Sequence, residues 1–206
     1  MYKLVIKEET LEKIRKDYIS NLNDKFYKIR LKEFNKAVYK DCYFNGDDLI
    51  FEFVVYPTYG KGYEMVDIIN LDGSVSKSRY YNVFICFVGI KKALLRKYVK
   101  YSRNEKLKFW AWAFHHWNDV RVHSNDPSFF YQGAWFRLDR KNISLYKFPS
   151  GYTDNGIWGS RHGKPLYITK HLMNVLDVFK FNLVEYVRDV DNLLSGKYNY
   201  LNKSGG

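Results

Sequence analysis

Leu49-Ile50-Phe51-Glu52-Phe53-Val54-Val55-Tyr56 is the stretch on which the fold turns. In an extended chain Leu49, Phe51, Phe53 and Val55 share one face. β-branched and aromatic residues fill the run, so it reads as a strand laid on a core. Asn45-Gly46-Asp47-Asp48 in front of it is a turn signal, and residues 57–62 behind it form a loop with two glycines. Residues 63–71 read as a second strand, Asp72-Gly73 as a hairpin turn and residues 80–88 as a third strand. Together they predict an antiparallel meander.

Helices are expected on both sides. In residues 9–38, Leu11, Ile14, Tyr18, Leu22, Phe26 and Ile29 recur at spacings of three and four, which predicts a long N-terminal amphipathic helix capped by Thr10. Gly89 opens a short Lys/Arg-rich helix over residues 90–101. Residues 106–116 alternate aromatic and small side chains, so they read as a strand with Trp110 and Trp112 on one face. Val120 to His123 is a further short strand. Asp126-Pro127 has the chemistry of a helix start, and the helix is expected to reach about Leu138. Residues 139–164 hold Pro149, Gly151, Gly156, Gly159 and Gly163 and read as an irregular interaction loop. A last, long helix is expected over residues 165–194, bent near Phe181 and ended by Gly196. The expected architecture is one α+β domain over residues 1–206.

The charge balance is +12, from 34 Lys and Arg against 22 Asp and Glu, which favours contact with polyanions or acidic proteins. Aromatic residues make up 19% of the chain, enough for a packed core and for wet interfaces. Two cysteines, Cys42 and Cys86, are too few for a disulfide framework and point to a reducing compartment. The start, Met1 to Lys7 followed by Glu8-Glu9, is too short an apolar stretch for a signal peptide, and no run has the length of a membrane span. No phosphate-binding loop, nucleophile elbow or H-E-x-x-H motif is present, so no catalytic residue and no cofactor are expected. The Asp47-Asp48 pair reads as a solvated turn, and Gly156-x-x-Gly159 lacks a strand–helix context.

Two segments stand apart: Ser124-Asn125-Asp126-Pro127-Ser128-Phe129, and Thr169-Lys170-His171-Leu172. Each sits where a strand or loop gives way to a helix. Their order, spacing and aromatic flanks over residues 118–180 resemble a SWIM-type zinc module in the form found in tailed-bacteriophage virion proteins. There a C-x-C-P-x-F segment precedes a helix, a Pro/Asn/Gly-rich loop and a C-K-H-L helix start. The resemblance implies that Ser124, Asp126 and Thr169 stand in the places of the three cysteines and that His171 keeps the histidine. Neutral hydroxyls are poor zinc ligands, so no metal is expected. Asp126 and His171 are expected instead as a polar pair, with Ser124 and Thr169 hydrogen-bonding nearby and Phe129, Phe130, Trp135 and Leu172 around them. His123 and His162 are weaker additions to such a site, and of His115 and His116 one is expected to face inward.

The resemblance further implies a structural component of a tailed-phage virion, a neck or tail ring subunit of the head-to-tail connector region. Expected partners are further copies of the chain and portal, tail or neck proteins, with packaged DNA as another and no membrane. The expected location is the virion, and the host cytoplasm during assembly. The alternative is a nucleic-acid-binding module using Lys91-Lys92, Arg96-Lys97, Lys100 and Arg103. Interface or nucleic-acid candidates are Trp110, Trp112, Trp135, Tyr152, Trp158, Arg161, Arg137, Arg140 and Lys141.

Overall fold

The computed structural model describes residues 37–57, 65–131, 134–152, 169–179 and 181–196. The order of elements is β1 (Ala37–Asn45), β2 (Asp48–Val55), β3 (Val66–Ile69), β4 (Val75–Ser78), β5 (Tyr81–Phe87), α1 (Lys91–Arg96), α2 (Arg103–His116), β6 (Val120–Ser124), α3 (Pro127–Tyr131), α4 (Ala134–Arg140), α5 (Lys170–Phe179) and α6 (Leu183–Leu194). A 3-10 turn, Tyr98–Lys100, joins α1 to α2. The fold is α+β. An antiparallel sheet in the order β1-β2-β5-β6 carries the body, and β3-β4 is a separate hairpin.

β2 lies inside the sheet and is buried on both faces, as its near-continuous apolar run requires. Gly46 supplies the positive φ of 62° with which the two-residue β1-β2 hairpin begins. Phe51 sits at the centre of the aromatic core. Its ring meets Phe87 at 5.7 Å, Trp110 at 5.3 Å, Phe179 at 5.5 Å and Tyr186 at 4.7 Å, so the sheet, α2, α5 and α6 converge on one side chain. Polar ties lock α6 in place. The Tyr39 hydroxyl donates to Asp189 Oδ2 at 2.9 Å, and Lys106 Nζ reaches Asp191 at 2.8 Å.

The expected simple meander is corrected in two ways. β1 precedes β2 and pairs with it, and the 66–78 hairpin is inserted between β2 and β5 instead of continuing the sheet. β5 places Val83, Ile85 and Phe87 on the core side beside Phe53, Phe51 and Leu49, a match that β4, Val-Ser-Lys-Ser, has no apolar face to make. Of the proposed N-terminal helix, residues 9–36 lie outside the described residues, and Ala37 and Val38 begin β1.

The expected strand over residues 106–116 is a helix. Ser102 and Glu105 form a capping box: the Ser102 hydroxyl accepts from the Glu105 amide, and the Glu105 carboxylate takes the Ser102 amide at 2.7 Å. Trp110, Ala113 and Phe114, spaced three and four apart, face the core. His115 and His116 both lie at exposed positions, against the expectation that one faces inward. The single helix expected over residues 165–194 is two: α5 ends at Phe179, Asn182 Nδ2 turns back to the Val178 carbonyl, and α6 starts at Leu183.

The first part of the 139–164 loop is structured. Asp139 and Arg140 end α4. Ile143 to Leu145 then lies beside β6, with Val122 N donating to Ile143 O at 2.8 Å and Leu145 N to Val122 O at 3.0 Å. Asn142 makes the turn into it at φ 61°. Residues 153–164 lie outside the described residues.

Helical phase makes the two neighbouring indoles unequal, since Trp110 is 0% exposed and Trp112 43%. Trp110→Ala should destabilise by about 3–5 kcal/mol, and Trp112→Ala by less than about 0.5 kcal/mol, in urea denaturation. Equal losses would restore the strand reading.

Candidate functional site

β6 delivers Ser124 to the mouth of α3, and Asn125 fixes the corner. The Asn125 carbonyl accepts from Ile69 N at 2.9 Å and its side-chain oxygen from Asn82 N at 2.8 Å, which holds the corner to both β3 and β5. Asp126 follows, with Oδ1 accepting the Phe129 amide at 3.0 Å to cap α3. Its other oxygen is the hub. Ser124 Oγ donates to Asp126 Oδ2 at 2.9 Å, and Thr169 Oγ1, from the start of α5, donates to the same atom at 2.8 Å. His171 Nδ1 stands 3.4 Å from it, too poorly aligned for a hydrogen bond.

Ser124, Asp126, Thr169 and His171, separated by 43 residues of chain between Asp126 and Thr169, therefore meet at one carboxylate oxygen. The cluster is sealed: Asp126 is 0% exposed and His171 7%. Phe129, Phe130, Trp135 and Leu172 are all buried. The Tyr81 ring of β5 covers His171 at 4.4 Å. Burial works to raise the Asp126 carboxyl, but the charge of His171 and the hydroxyl donors outweigh it and hold the group below the usual carboxylate range.

His123, one residue before the cluster, lies in an aromatic cage of Trp135 at 4.6 Å, Tyr146 at 4.9 Å and Phe129 at 5.5 Å. Among the described residues its Nδ1 has no hydrogen-bond partner. Burial pushes the imidazole down to about 3, against the opposing pull of Asp126, so it is neutral in the folded chain. Sequence reasoning missed Asn125, Tyr81 and the Tyr146 side of the cage. The Asn-Asp-Pro turn signal was a cue for the corner; nothing local marked the other two.

Among the described residues no group of three or more His, Cys, Asp or Glu side chains is placed to hold a metal ion. Asp126 and His171 supply two donors, and the Ser124 and Thr169 hydroxyls are engaged in donating to Asp126. This set does not fit a structural zinc, which takes four strong donors. What it does is join the end of β6 to the starts of α3 and α5.

The interface candidates divide. Trp110 and Trp135 are corrected to core residues: both are buried, with Trp110 Nε1 donating to the Tyr98 hydroxyl and Trp135 Nε1 to the Tyr146 carbonyl. Neither indole offers a surface to a partner. Trp112 is exposed beside His116. Tyr152 lies partly exposed against Phe130 and donates to the Gly73 carbonyl at 3.4 Å. Gly73 has a φ of 87°, and a Cβ there would stand 2.6 Å from the Tyr152 ring. The Arg140 guanidinium covers the Phe136 ring at 4.4 Å, Arg137 is half-buried and Lys141 exposed. Trp158, Arg161 and His162 lie outside the described residues.

No protein family, curated protein or solved structure significantly matches this chain.

Asp126→Ala strands two hydroxyls, an amide and an imidazole, and should cost about 3–5 kcal/mol in chemical denaturation. EDTA should leave the melting temperature unchanged; a fall would reinstate a metal. Acid should act in two windows. Below about pH 6.5 the unfolded chain takes up a proton that native His123 refuses, so stability falls by up to about 1.4 kcal/mol per pH unit. His123→Phe should abolish that slope. Asp126, whose folded value is depressed, contributes stability above its unfolded value of about 3.9 and loses it as pH falls through the folded value. A His123→Phe slope equal to the wild type's between pH 6.5 and 4.5 would refute the first window.

Proposed function

We propose that the chain is a structural subunit of a tailed-phage virion, part of a neck or tail ring in the head-to-tail connector region, acting through protein–protein contacts. The observation that carries this reading is the meeting of the two half-motifs. The four positions that resemble the ligand positions of a SWIM-type module converge on Asp126 Oδ2, at a strand end and two helix starts. The cluster joins secondary structure and is closed to any substrate, which suits a building block and supplies no catalytic step.

The surface supports the same reading. Met65, Leu71 and Val75 are exposed around the β3-β4 hairpin, Trp112 on α2 and Tyr131 at the end of α3. Apolar side chains in separate places suit a subunit with more than one neighbour. Head-to-tail contacts between unlike patches close into a ring when the rotation permits, and repetition around that ring lets each contact be weak. The partners on this reading are further copies and portal, tail or neck proteins, met in the host cytoplasm during assembly and kept in the virion.

The purified protein, alone or with its neck and tail partners, is expected to form closed rings of uniform size in negative stain. Mass spectrometry of purified particles is expected to detect it. A chain that stays monomeric with those partners and is missing from the particles would overturn the reading.

A further inference from the structure

From Ile90 to Trp117 the chain carries eight Lys and Arg against one carboxylate, Glu105. That carboxylate is occupied by the Ser102 amide and hydroxyl, both at 2.7 Å, and those hydrogen bonds hold it below its ordinary value. Several of the cations are engaged as well. Lys91 lies over the Phe44 ring and reaches the Gly46 carbonyl, Lys92 stands 3.9 Å from Asp47, and Lys106 pairs with Asp191. Lys108 on α2 lends its charge to Glu105, and Arg96, Lys97, Lys100 and Arg103 remain. All four are exposed, and their side chains make no ion pair or hydrogen bond among the described residues. They fall within eight consecutive residues at the corner between α1 and α2.

The corner is rigidly mounted. Leu94 just before these cations and Tyr98 among them are buried, and the Tyr98 hydroxyl is fixed by Trp110 Nε1 at 3.2 Å. Four like charges on a fixed frame cost stability by mutual repulsion and gain it back when a polyanion arrives. We propose that this corner binds the phosphate backbone of duplex DNA, without sequence preference, through Arg96, Lys97, Lys100 and Arg103.

Duplex fits better than the other polyanions. Single strands need an open aromatic stacking plate beside the cations, and Tyr101, the ring within the corner, is half-buried against Tyr98 and Phe109. The exposed indole of α2, Trp112, lies nine residues past Arg103, about 180° around the helix at ~100° per residue. A protein partner would have to bring carboxylates at the spacing of these four cations, whereas a duplex presents a negative charge about every 1.7 Å along its axis. An anionic membrane would need a broad apolar face, and α1 is six residues long with only Leu95 and, in the following turn, Val99 exposed beside the charges.

The proposal stands apart from the virion reading, because a chain absent from particles can still bind DNA. Binding of full-length protein to a 30-base-pair mixed-sequence duplex is to be followed by fluorescence anisotropy between 50 and 200 mM NaCl. Four phosphate contacts predict a log–log slope with salt steepened by about 3–4, an affinity loss of roughly 150-fold across that range. The quadruple variant Arg96→Gln, Lys97→Gln, Lys100→Gln, Arg103→Gln should lower the slope by about 3–4 while melting no lower than the wild type, since none of the four packs in the core and their mutual repulsion is relieved. Lys77→Gln with Lys147→Gln, a charge control elsewhere on the surface, should change the slope far less. No duplex binding at 50 mM salt would overturn the proposal. So would an unchanged slope in the quadruple variant, tighter binding of a 30-nucleotide single strand that Trp112→Ala removes, or binding only to phosphatidylserine vesicles.

Discussion

A buried carboxylate is tolerable only if its oxygens find donors, and the Asp126 side chain meets that condition by joining three parts of the chain at once. One oxygen caps α3; the other gathers the end of β6 and the start of α5. The cost of desolvating the charge makes the arrangement selective. A strand register shifted by one residue, or a helix rotated by a fraction of a turn, leaves a charge in the core without partners. The cluster therefore specifies the geometry of the module more than it stabilises it, as a polar network does when embedded in apolar packing.

The apolar packing has its own centre. Phe51 projects from the most buried strand into contact with rings of β5, α2, α5 and α6, mostly edge to face. Such contacts add directionality to plain burial. A second aromatic group, Phe129, Phe130, Trp135, Phe148 and Tyr152, forms under α3 and α4 and is continued by the caged His123. β6 runs between the two, with Val122 in the core and His123 among the second group, so one short strand links both halves of the interior.

Much of this was legible where the chain signals with one period. β2 and β5 announce themselves as near-continuous apolar runs of β-branched and aromatic residues. β1 does not. A bulge between Tyr39 and Asp41 shifts its register, so alternation across Ala37–Asn45 breaks in the middle. α2 misled in the opposite sense. Trp110-Ala111-Trp112-Ala113 has the period of a strand, while the information that decides the matter lies outside it, in the Ser102-x-x-Glu105 box and the spacing Trp110, Ala113, Phe114. Local caps outweighed an aromatic alternation that tertiary packing does not use. The convergence of Ser124, Asp126, Thr169 and His171 was readable only by resemblance, since no local rule joins residues 43 positions apart. The surroundings of His123 and Asn125 were hidden for a related reason: a cage and a corner are assembled from distant parts of the chain.

On the virion reading, exchanging thiolates for hydroxyls has an energetic corollary. A structural zinc contributes about 10–16 kcal/mol of apparent binding energy to the folding of the peptide around it. Hydrogen bonds to a charged group contribute about 1.5–3 kcal/mol each, less the desolvation of the carboxylate. The Ser124-Asp126-Thr169-His171 cluster cannot replace a metal's contribution, so the surroundings must. The aromatic packing under α3 and α4 does so, together with the strand-like pairing of Ile143 to Leu145 with Val122. A zinc module can be small because the ion supplies its core. The Asp126 cluster instead adjoins a four-stranded sheet, and it has the narrower task of holding two helix starts and a strand end in register.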